Sequence, residues 1–391
     1  MIDDIMLPKS MKSTRTKCLI ACGIVLLTFT TIIATLATFR HVTIRGQQRH
    51  DTKIVALPRR AKKTGELKIL QLADVQIKVM DESCKDLTKS EKQFPCSGRN
   101  TTAFIRRLIE YDRPDLVIFT GDNVLGSRSD MQSQKIMLEI TDSVASAGIP
   151  FAVIIGNHDV ELPWMSVSAL HEFMRHNRSQ GGGGAILSGN GLIKIIDDQK
   201  TILHIHLFDY MHRHCIFCYN GVHARDGEAG PYHPITDSQI DWFKQSSDPN
   251  VTSIAFAHIP LQEYDDLVQA WSQSNMSKVS GFSFERVYYG TPSNLYQTLQ
   301  ARNVKLLSVG HDHTNDFCAR ENGGVYLCYA GGVGYTTYGR AGWPRRARMI
   351  IVKQQRSLTR IRTYKILDDA NLTHVNDEYI EESLQDTTQA S

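Results

Sequence analysis

Three polar residues in a row follow a short apolar run near the middle of this chain. The run 151–155 predicts a buried strand, and Gly156 allows a sharp turn after it. Next come an amide, an imidazole and a carboxylate, those of Asn157, His158 and Asp159. The end of a buried strand has no structural use for these groups, whereas α/β proteins bind their ligands there. The stretch therefore predicts a functional site.

Four further predicted strands end in side chains of the same kind. These strands cover residues 67–73, 115–120, 252–257 and 304–309. The side chains that follow them are Asp74, Asp122, His258, His311 and His313. Carboxylate, amide and imidazole donors without a thiolate suit Mn, Fe or Zn better than Ca or a thiolate-held metal.

The spacing within this set indicates two adjacent ions rather than one. His311 and His313 lie on the same side of an extended chain, and a carboxylate such as Asp122 can bridge two metals. Two metals about 4 Å apart clamp a phosphoryl oxygen and lower the pKa of a bound water, which then attacks phosphorus without a nucleophilic Ser or Cys. A single buried histidine is more often a core residue, but several strand ends with ligand types favour a metal site.

These residues, with their neighbours, resemble the five ordered motifs of the calcineurin-like metallophosphoesterases. The segments 100–105, 115–123, 311–318 and 327–335 more closely resemble the small branch related to plant-type purple acid phosphatases and their fungal relatives. The resemblance runs from about Leu67 to Lys353. It implies an α/β fold, a four-layer αββα sandwich, with a dimetal site at the edges of its sheets.

The resemblance also implies a role for each site residue. The first metal would be held by Asp74, Asp122 and His313, and the second by Asp122, Asn157, His258 and His311. His158 would contact the phosphate and protonate the leaving oxygen or stabilise its charge. Asp159 would orient the imidazole of His158.

Two positions depart from the family pattern. The first motif usually has Asp-x-His, but here Gln76 replaces the histidine. An amide oxygen is a weaker ligand, so Gln76 is expected to coordinate weakly or to hold a water on the metal. Purple acid phosphatases have a tyrosine three residues after the bridging aspartate, where this chain has Leu125, so the purple colour is not predicted.

Composition and charge are those of a globular protein. The chain has 391 residues, 41% hydrophobic, and a net charge of +3, so a role as a nucleic-acid scaffold is not expected. Residues 18–39 contain no charge and predict a transmembrane signal anchor, although a cleaved signal peptide is the alternative because Ala34 and Ala37 are small. The remaining chain divides into a cytoplasmic tail (1–17), a stalk (40–64), a metallophosphoesterase domain (65–367) and a flexible acidic tail (368–391).

Glycosylation sequons and cysteines predict the side of the membrane. Five sequons follow the anchor, at Asn100, Asn177, Asn250, Asn275 and Asn371. Six cysteines follow it as near-neighbour pairs and form a candidate disulfide framework: Cys84, Cys96, Cys215, Cys218, Cys318 and Cys328. The alternative for Cys215 and Cys218 is a zinc knuckle with His212 and His214. We expect a single-pass type II membrane protein whose domain is luminal or extracellular.

Several other residues have two interpretations each. The Gly- and Tyr-rich loop 329–338 is either a substrate-contacting loop near His313 or scaffold. Trp343 and the nearby arginines attract anionic substrate or are solvated strand ends; these arginines are Arg345, Arg346 and Arg348. Tyr264, His223 and Asp312 line the phosphate pocket or belong to the scaffold.

The function predicted from these residues is hydrolysis of a phosphomonoester by a metal-activated water at a site with two Fe, Mn or Zn ions. One alternative is a phosphodiesterase that acts on nucleotides or phospholipid head groups. The other is a protein that binds a phosphorylated ligand and has lost turnover because of Gln76.

Overall fold

The computed structural model describes residues 53–58, 65–89, 91–93, 95–125, 130–160, 172–174, 185–209, 235–273, 279–320, 324–355 and 358–384, which belong to one unit, 51–391. The helices are α1 Gly98–Asp112, α2 Asp130–Ser146, α3 Asp237–Ser246, α4 Gln262–Gln273 and α5 Leu295–Ala301. The strands are β1 Lys53–Pro58, β2 Glu66–Leu72, β3 Leu116–Thr120, β4 Phe151–Ile154, β5 Ala185–Ser188, β6 Gly191–Asp197, β7 Lys200–Leu207, β8 Ser253–Phe256, β9 Val279–Ser280, β10 Val304–Val309, β11 Cys318–Ala319, β12 Tyr326–Tyr329, β13 Arg346–Gln355, β14 Leu358–Leu367 and β15 His374–Leu384.

The strands form two sheets. A seven-stranded sheet has the order β15-β14-β13-β2-β3-β4-β5, in which β2 to β5 run parallel and β13 to β15 are antiparallel. An eight-stranded sheet has the order β1-β6-β7-β8-β10-β12-β11-β9 and is parallel from β7 to β12. Parallel strands covered on both faces are apolar along their whole length, and all five residues of β3 are buried accordingly.

Three apolar clusters arrange these elements in layers. One cluster fills the space between the two sheets and includes Ile118, Ile154 and Ile254. A second packs α1 and α2 on the outer face of the seven-stranded sheet, and a third packs α3, α4 and α5 on the outer face of the eight-stranded sheet. The predicted layered α/β fold is therefore confirmed.

Hydrogen bonds of the Gln71 side chain also join the two sheets directly beneath the strand ends. Gln71 of β2 donates to Thr120 of β3 (3.2 Å), and Ser308 of β10 donates to the Gln71 amide oxygen (2.5 Å). All three side chains are buried. Since a buried polar group is costly unless it is paired, these bonds fix how the carboxyl ends of β2, β3 and β10 lie against one another.

The predicted stalk and tail both contain strands of the domain, which corrects the boundaries expected from the sequence. Residues 53–58 pair in parallel with β6, because Val55 and Leu57 pack against the cluster between the sheets. Residues 374–384 pair with β14, and Ile380 enters the same cluster. The sequence of β15, HVNDEYIEESL, has no apolar alternation that would predict a strand, and Asp377 is paired with Arg362 across the strands.

The cysteines and sequons lie as follows in the described residues. Cys84 is bonded to Cys96, and Cys318 is bonded to Cys328 between β11 and β12. Asn100, Asn250 and Asn371 are exposed. Outside the described residues lie Cys215, Cys218, His212, His214, Asn177, Asn275 and the predicted anchor 18–39. None of the helices in the described part of the chain is long and apolar enough to span a membrane.

Candidate metal centre

The carboxyl ends of β2, β3, β4, β8 and β10 meet and bring most of the predicted site residues together. Potential ligand atoms form two groups, and within each group all atoms lie within 4.8 Å of one another. One group is Asp122, His258 and His311; the other is Asp74, Asp122 and His313. Asp122 belongs to both groups, which is the position that a carboxylate bridging two ions would occupy.

Two of the histidines are oriented by backbone carbonyl oxygens. Nδ1 of His258 lies 2.9 Å from the carbonyl oxygen of Thr120, and Nδ1 of His313 lies 3.0 Å from that of Tyr338. A carbonyl oxygen only accepts, so in both rings Nδ1 carries a proton. Each Nε2 therefore faces the site: that of His258 lies 3.3 Å from Asp122, and that of His313 lies 3.5 Å from Asp74. Metal-binding histidines are commonly fixed through the second nitrogen in this way.

The turn after β4 fits closely into the centre. The side-chain oxygen of Asn157 lies 3.1 Å from Nε2 of His258. Gly156 precedes it, and a Cβ on Gly156 would lie 2.2 Å from Oδ1 of Asp122 and 2.7 Å from Nε2 of His258. Only a glycine allows the backbone to approach the ligand atoms this closely.

Four non-glycine residues at the site have a left-handed backbone conformation. The φ angles are 55° at Asp74, 40° at Gln76, 51° at Asp122 and 76° at His311. Such conformations cost of order 1 kcal/mol each and persist where surrounding contacts enforce them. Here the backbone N–H of His311 donates to both oxygens of Asp74 at 3.1 Å, and that of Gln76 donates to the carbonyl oxygen of Asp122 at 2.9 Å.

The charges of the buried groups are coupled. Burial raises the pKa of Asp74 to about 8. Burial also opposes ionisation of Asp122, but His258 and His158 outweigh it and hold the pKa of Asp122 below its usual value. The pKa of His258 rises to about 9, because the attraction of Asp122 exceeds the cost of burial. Burial lowers the pKa of His313 to about 3, so its imidazole stays neutral, as a metal ligand must be.

His158 and Asp159 have separate surroundings. The backbone N–H of His158 donates to Oδ1 of Asp122 (2.8 Å), while its imidazole is about one-third exposed and lies 3.9 Å from Oδ2 of Asp122. The carboxylate of Asp159 is buried and accepts four hydrogen bonds of 2.8–3.1 Å, from the backbone of Asn123, Val124 and Gly156 and from the Asn123 side chain. The structure thus places Asp159 as the anchor that joins the turns after β3 and β4, instead of on the imidazole of His158.

Gln76 lies inside the centre, as the sequence indicated, but it presents its amide nitrogen. This nitrogen donates to Oδ2 of Asp122 across 2.6 Å. The backbone carbonyl oxygen of Gln76 accepts from Thr336 at 2.8 Å, which fixes the residue from behind.

Most of the residues with two interpretations belong to the scaffold. Arg345, Arg346 and Arg348 are buried and bind backbone oxygens or Asp316, so they do not form an exposed anion-attracting surface. Tyr264 is buried and donates to the carbonyl oxygen of Leu307 (2.7 Å). Asp312 is buried as well and accepts from the hydroxyl of Tyr329 (2.6 Å). His223 lies outside the described residues.

One contributor to the site, Asn123, was not predicted from the sequence. Asn123 is buried beside Asp122, and its amide donates to the carbonyl oxygen of Ile154 and to Asp159, which ties β3 to β4. The Gly-Asp-Asn run at 121–123 is the sequence feature that could have identified Asn123. The ring of Tyr338, at the end of the loop 329–338 that was expected near His313, stacks on the imidazole of His313 with centroids 4.0 Å apart.

The donor set fits a pair of metal ions. Both groups consist of buried carboxylates and imidazoles whose Nε2 atoms converge, and Gly156 leaves no room for a side chain between them. Two buried carboxylates close to one another need cationic charge, and the proton on His258 supplies only part of it. The arrangement therefore suits oxygen- and nitrogen-coordinated transition metals.

Comparisons with known proteins agree with this geometry. The sequence profile of the calcineurin-like phosphoesterases matches residues 67–315. A protein named probable inactive purple acid phosphatase 28, from Arabidopsis thaliana, is 32% identical over 363 residues, which cover 84% of this chain and 87% of the relative. Phosphatase DCR2 of Saccharomyces cerevisiae is 29% identical over 68% of this chain and 48% of its own length.

A crystal structure of a dimetal phosphatase from Danio rerio has a similar fold. The TM-score is 0.52 at 13% identity, and the match covers 81% of this chain and 99% of the other. Because the family profile spans well over half of the chain and joins the strands that carry Asp74, Asp122, His258, His311 and His313, this protein belongs to the calcineurin-like phosphoesterase family.

Proposed function

We propose that this protein is a metal-dependent phosphomonoesterase with a dinuclear site. One observation carries the proposal: two groups of buried ligand atoms share Asp122 at the carboxyl ends of the central strands. The first ion would be held by Asp74, Asp122 and His313, and the second by Asp122, Asn157, His258 and His311. The donor types support Mn, Fe or Zn.

When bound, the two ions supply Lewis acidity to the phosphoryl oxygens and lower the pKa of water. The side chains of the protein orient the groups at the site and supply the proton for the departing oxygen. The close packing of Gly156 against Asp122 and His258 fixes the distance between these two ligand side chains. The left-handed backbone at Asp74 and Asp122 pre-orients their carboxylates. The partly exposed imidazole of His158 lies at the rim, where it can give a proton to the departing oxygen.

A second candidate function follows from Gln76. Its amide donates to Asp122, where the family usually has a histidine ligand, and the name of the Arabidopsis relative describes it as probable inactive. A protein that binds a phosphorylated ligand without turnover would retain every other contact of the site. A phosphodiesterase acting on nucleotides or phospholipid head groups would use the same centre with different pocket walls.

We further propose that the domain faces a secretory lumen or the outside of the cell, as a type II membrane protein anchored by residues 18–39. The Cys84–Cys96 and Cys318–Cys328 bonds support an oxidising compartment, and the exposed sequons at Asn100, Asn250 and Asn371 support a glycosylated surface. Digestion of the protein from membranes with an endoglycosidase tests this: an unchanged electrophoretic mobility would contradict it.

The test of function is hydrolysis of 4-nitrophenyl phosphate by the full-length protein after expression in a secretory pathway. Metal-stripped protein is assayed with Mn, Fe or Zn added in turn, beside His158→Ala. We expect metal-dependent turnover and a loss of 10²- to 10⁴-fold in kcat in the variant. Folded protein that binds inorganic phosphate with metal but shows no turnover with any ion would favour the binding protein instead.

A further inference from the structure

Three aromatic rings lie on the surface next to the candidate metal centre, and we call Phe282, Phe284 and Tyr338 the aromatic platform. Their exposed fractions are 48%, 38% and 43%. None of them belongs to the three apolar clusters that stabilise the fold. A group of exposed aromatic rings of this kind marks a binding surface more often than a structural one.

Tyr338 connects the platform to the metal centre. One face of its ring stacks on the imidazole of His313, with centroids 4.0 Å apart and planes 9° apart. Its hydroxyl donates to Glu285 (2.9 Å). One face of Tyr338 thus lies on a proposed ligand, and the side chain is still 43% exposed, so a molecule beside the centre can contact it.

Phe282 and Phe284 extend this surface beyond Glu285. Their rings are stacked with centroids 5.0 Å apart and planes 7° apart, and the edge of Trp343 packs against Phe284. The guanidinium of Arg340 lies 4.1 Å from the centroid of Phe284. Phe284 is thus covered by Phe282 and Arg340, and the rings of Phe282 and Tyr338 remain for a ligand beside the positive charge of Arg340. This combination suits an anionic ligand that carries an aromatic ring.

Hydrogen bonds hold the platform rigidly against the loop that carries His311 and His313. The backbone N–H groups of Phe282 and Phe284 donate to the side chains of Asp316 (2.8 Å) and Asn315 (2.9 Å). Glu285 accepts from the backbone and hydroxyl of Thr314. A surface fixed in this way binds a ring with little loss of conformational entropy.

We propose that the aromatic platform is the subsite for the leaving group, and that the substrates are phosphomonoesters whose leaving group carries a planar aromatic ring. The proposal rests on the phosphomonoesterase function proposed above. With the phosphoryl group at the metal centre, the ester oxygen points toward the rim, and a ring on that oxygen stacks on the free face of Tyr338. A ring held further away, such as a base beyond a ribose, reaches Phe282.

Binding of two phosphonates that are not hydrolysed tests the platform without turnover. Calorimetry with the full-length protein and Mn compares phenylphosphonate with methylphosphonate. We expect phenylphosphonate to bind about three- to tenfold more tightly, and this preference to disappear in Tyr338→Leu but to survive in Tyr338→Phe, which keeps the ring. Both variants lose the hydroxyl bond to Glu285, so the pair isolates the ring.

A remote aromatic residue provides the control. Tyr379 on β15 is 66% exposed, and Tyr379→Leu should leave both affinities unchanged. Tyr338→Met serves if Tyr338→Leu fails to fold, because it also removes the ring. Equal affinities in the wild type, or a preference that persists in the Tyr338 variant without a ring, would overturn the platform while the phosphatase proposal stands. Failure of folded protein to bind either phosphonate would overturn both.

Values of kcat/KM for O-phosphotyrosine and adenosine 5′-monophosphate show whether the ring belongs to an aryl ester or to a nucleotide. A preference for the first that falls in Tyr338→Leu identifies aryl esters. A preference for the second that falls in Phe282→Leu identifies nucleotides. Values for both that do not respond to either variant contradict the subsite.

Discussion

The amide nitrogen of Gln76 donates to Oδ2 of Asp122 across 2.6 Å, in the buried centre where two groups of ligand atoms share that carboxylate. A hydrogen bond from a neutral donor to a buried carboxylate contributes about 1.5–3 kcal/mol to its stabilisation. Gln76 therefore has a function of its own at this position: it holds the orientation of the shared ligand.

This bond predicts the effect of restoring the usual histidine. In Gln76→His the donor to Asp122 is lost or moved, so we expect kcat/KM for an aryl phosphate to stay within about threefold of the wild type or to fall. The measurement is steady-state hydrolysis with Mn, Fe and Zn. Gln76→Leu is the control, because it removes the bond without adding a ligand. A gain of more than about tenfold in Gln76→His alone would mean that the native site lacks a ligand.

The close approach of Gly156 to two proposed metal ligands predicts that a side chain at this position weakens metal binding. In Gly156→Ala the new Cβ would lie 2.2 Å from Oδ1 of Asp122 and 2.7 Å from Nε2 of His258, so one of these ligands must move. We expect the affinity for the second metal ion to fall by about 10-fold or more, which is the loss typical when a group that positions a metal ligand is changed. Metal content after equilibrium dialysis, determined by mass spectrometry, measures this loss.

Gly148 supplies a matched control for Gly156. It has a φ of +65° and nothing within 4 Å of an added Cβ. Gly148→Ala should therefore cost about 1 kcal/mol of folding free energy through backbone strain and leave the metal content unchanged. Equal metal loss in both variants would show that general destabilisation, and not the close approach at Gly156, empties the site.

The strand ends with ligand residues were predictable from the sequence because a buried parallel strand is apolar throughout and a polar residue after it stands out. Asp122 and His258 each follow such a run, and Asp74 follows a strand whose buried residues are apolar except Gln71. Asp159 was misassigned for the opposite reason: its partners, the backbone N–H groups of Val124 and Gly156, are not visible in any pattern of side chains. The strand β15 was missed because polar and charged residues separate its few apolar ones, so no period of two is visible.

Asp316 predicts a large effect on stability away from the metal centre. It is buried and accepts from Lys365 (2.9 Å) and Arg346 (2.8 Å), while its backbone oxygen accepts from Arg348 (3.0 Å). In Asp316→Asn these buried cations lose their anion, so we expect the free energy of unfolding to fall by about 3–5 kcal/mol. Urea denaturation followed by circular dichroism measures it.

The pair Asp377–Arg362 is the control for this prediction. It lies across β14 and β15 with both side chains substantially exposed. A surface ion pair contributes about 0–1 kcal/mol, so Asp377→Asn should have a small effect. If the two variants lost the same free energy, burial would not determine the strength of the Asp316 interactions.

His204 and His206 on β7 predict a loss of stability in acid. Both side chains are buried, and neither ring nitrogen of His206 has a hydrogen-bond partner. Burial lowers the pKa of His206 well below its usual value and that of His204 to about 4; Lys194 opposes protonation of both, and Asp248 partly favours that of His204. The rings of His206 and Phe243 of α3 are in contact, with centroids 4.7 Å apart.

In the unfolded chain these histidines bind protons below about pH 6.5, whereas in the folded chain they stay neutral. Protons therefore favour unfolding, and the free energy of unfolding falls as the pH drops from about 6.5 toward 4. In His206→Phe we expect the slope of that free energy to decrease by about 1.4 kcal/mol per pH unit in this range, which is one proton. Urea midpoints at pH 7, 6 and 5 measure the slope. His374→Phe, at a ring on β15 that is about one-third exposed, is the control. An unchanged slope in His206→Phe would mean that His206 is protonated in the folded protein.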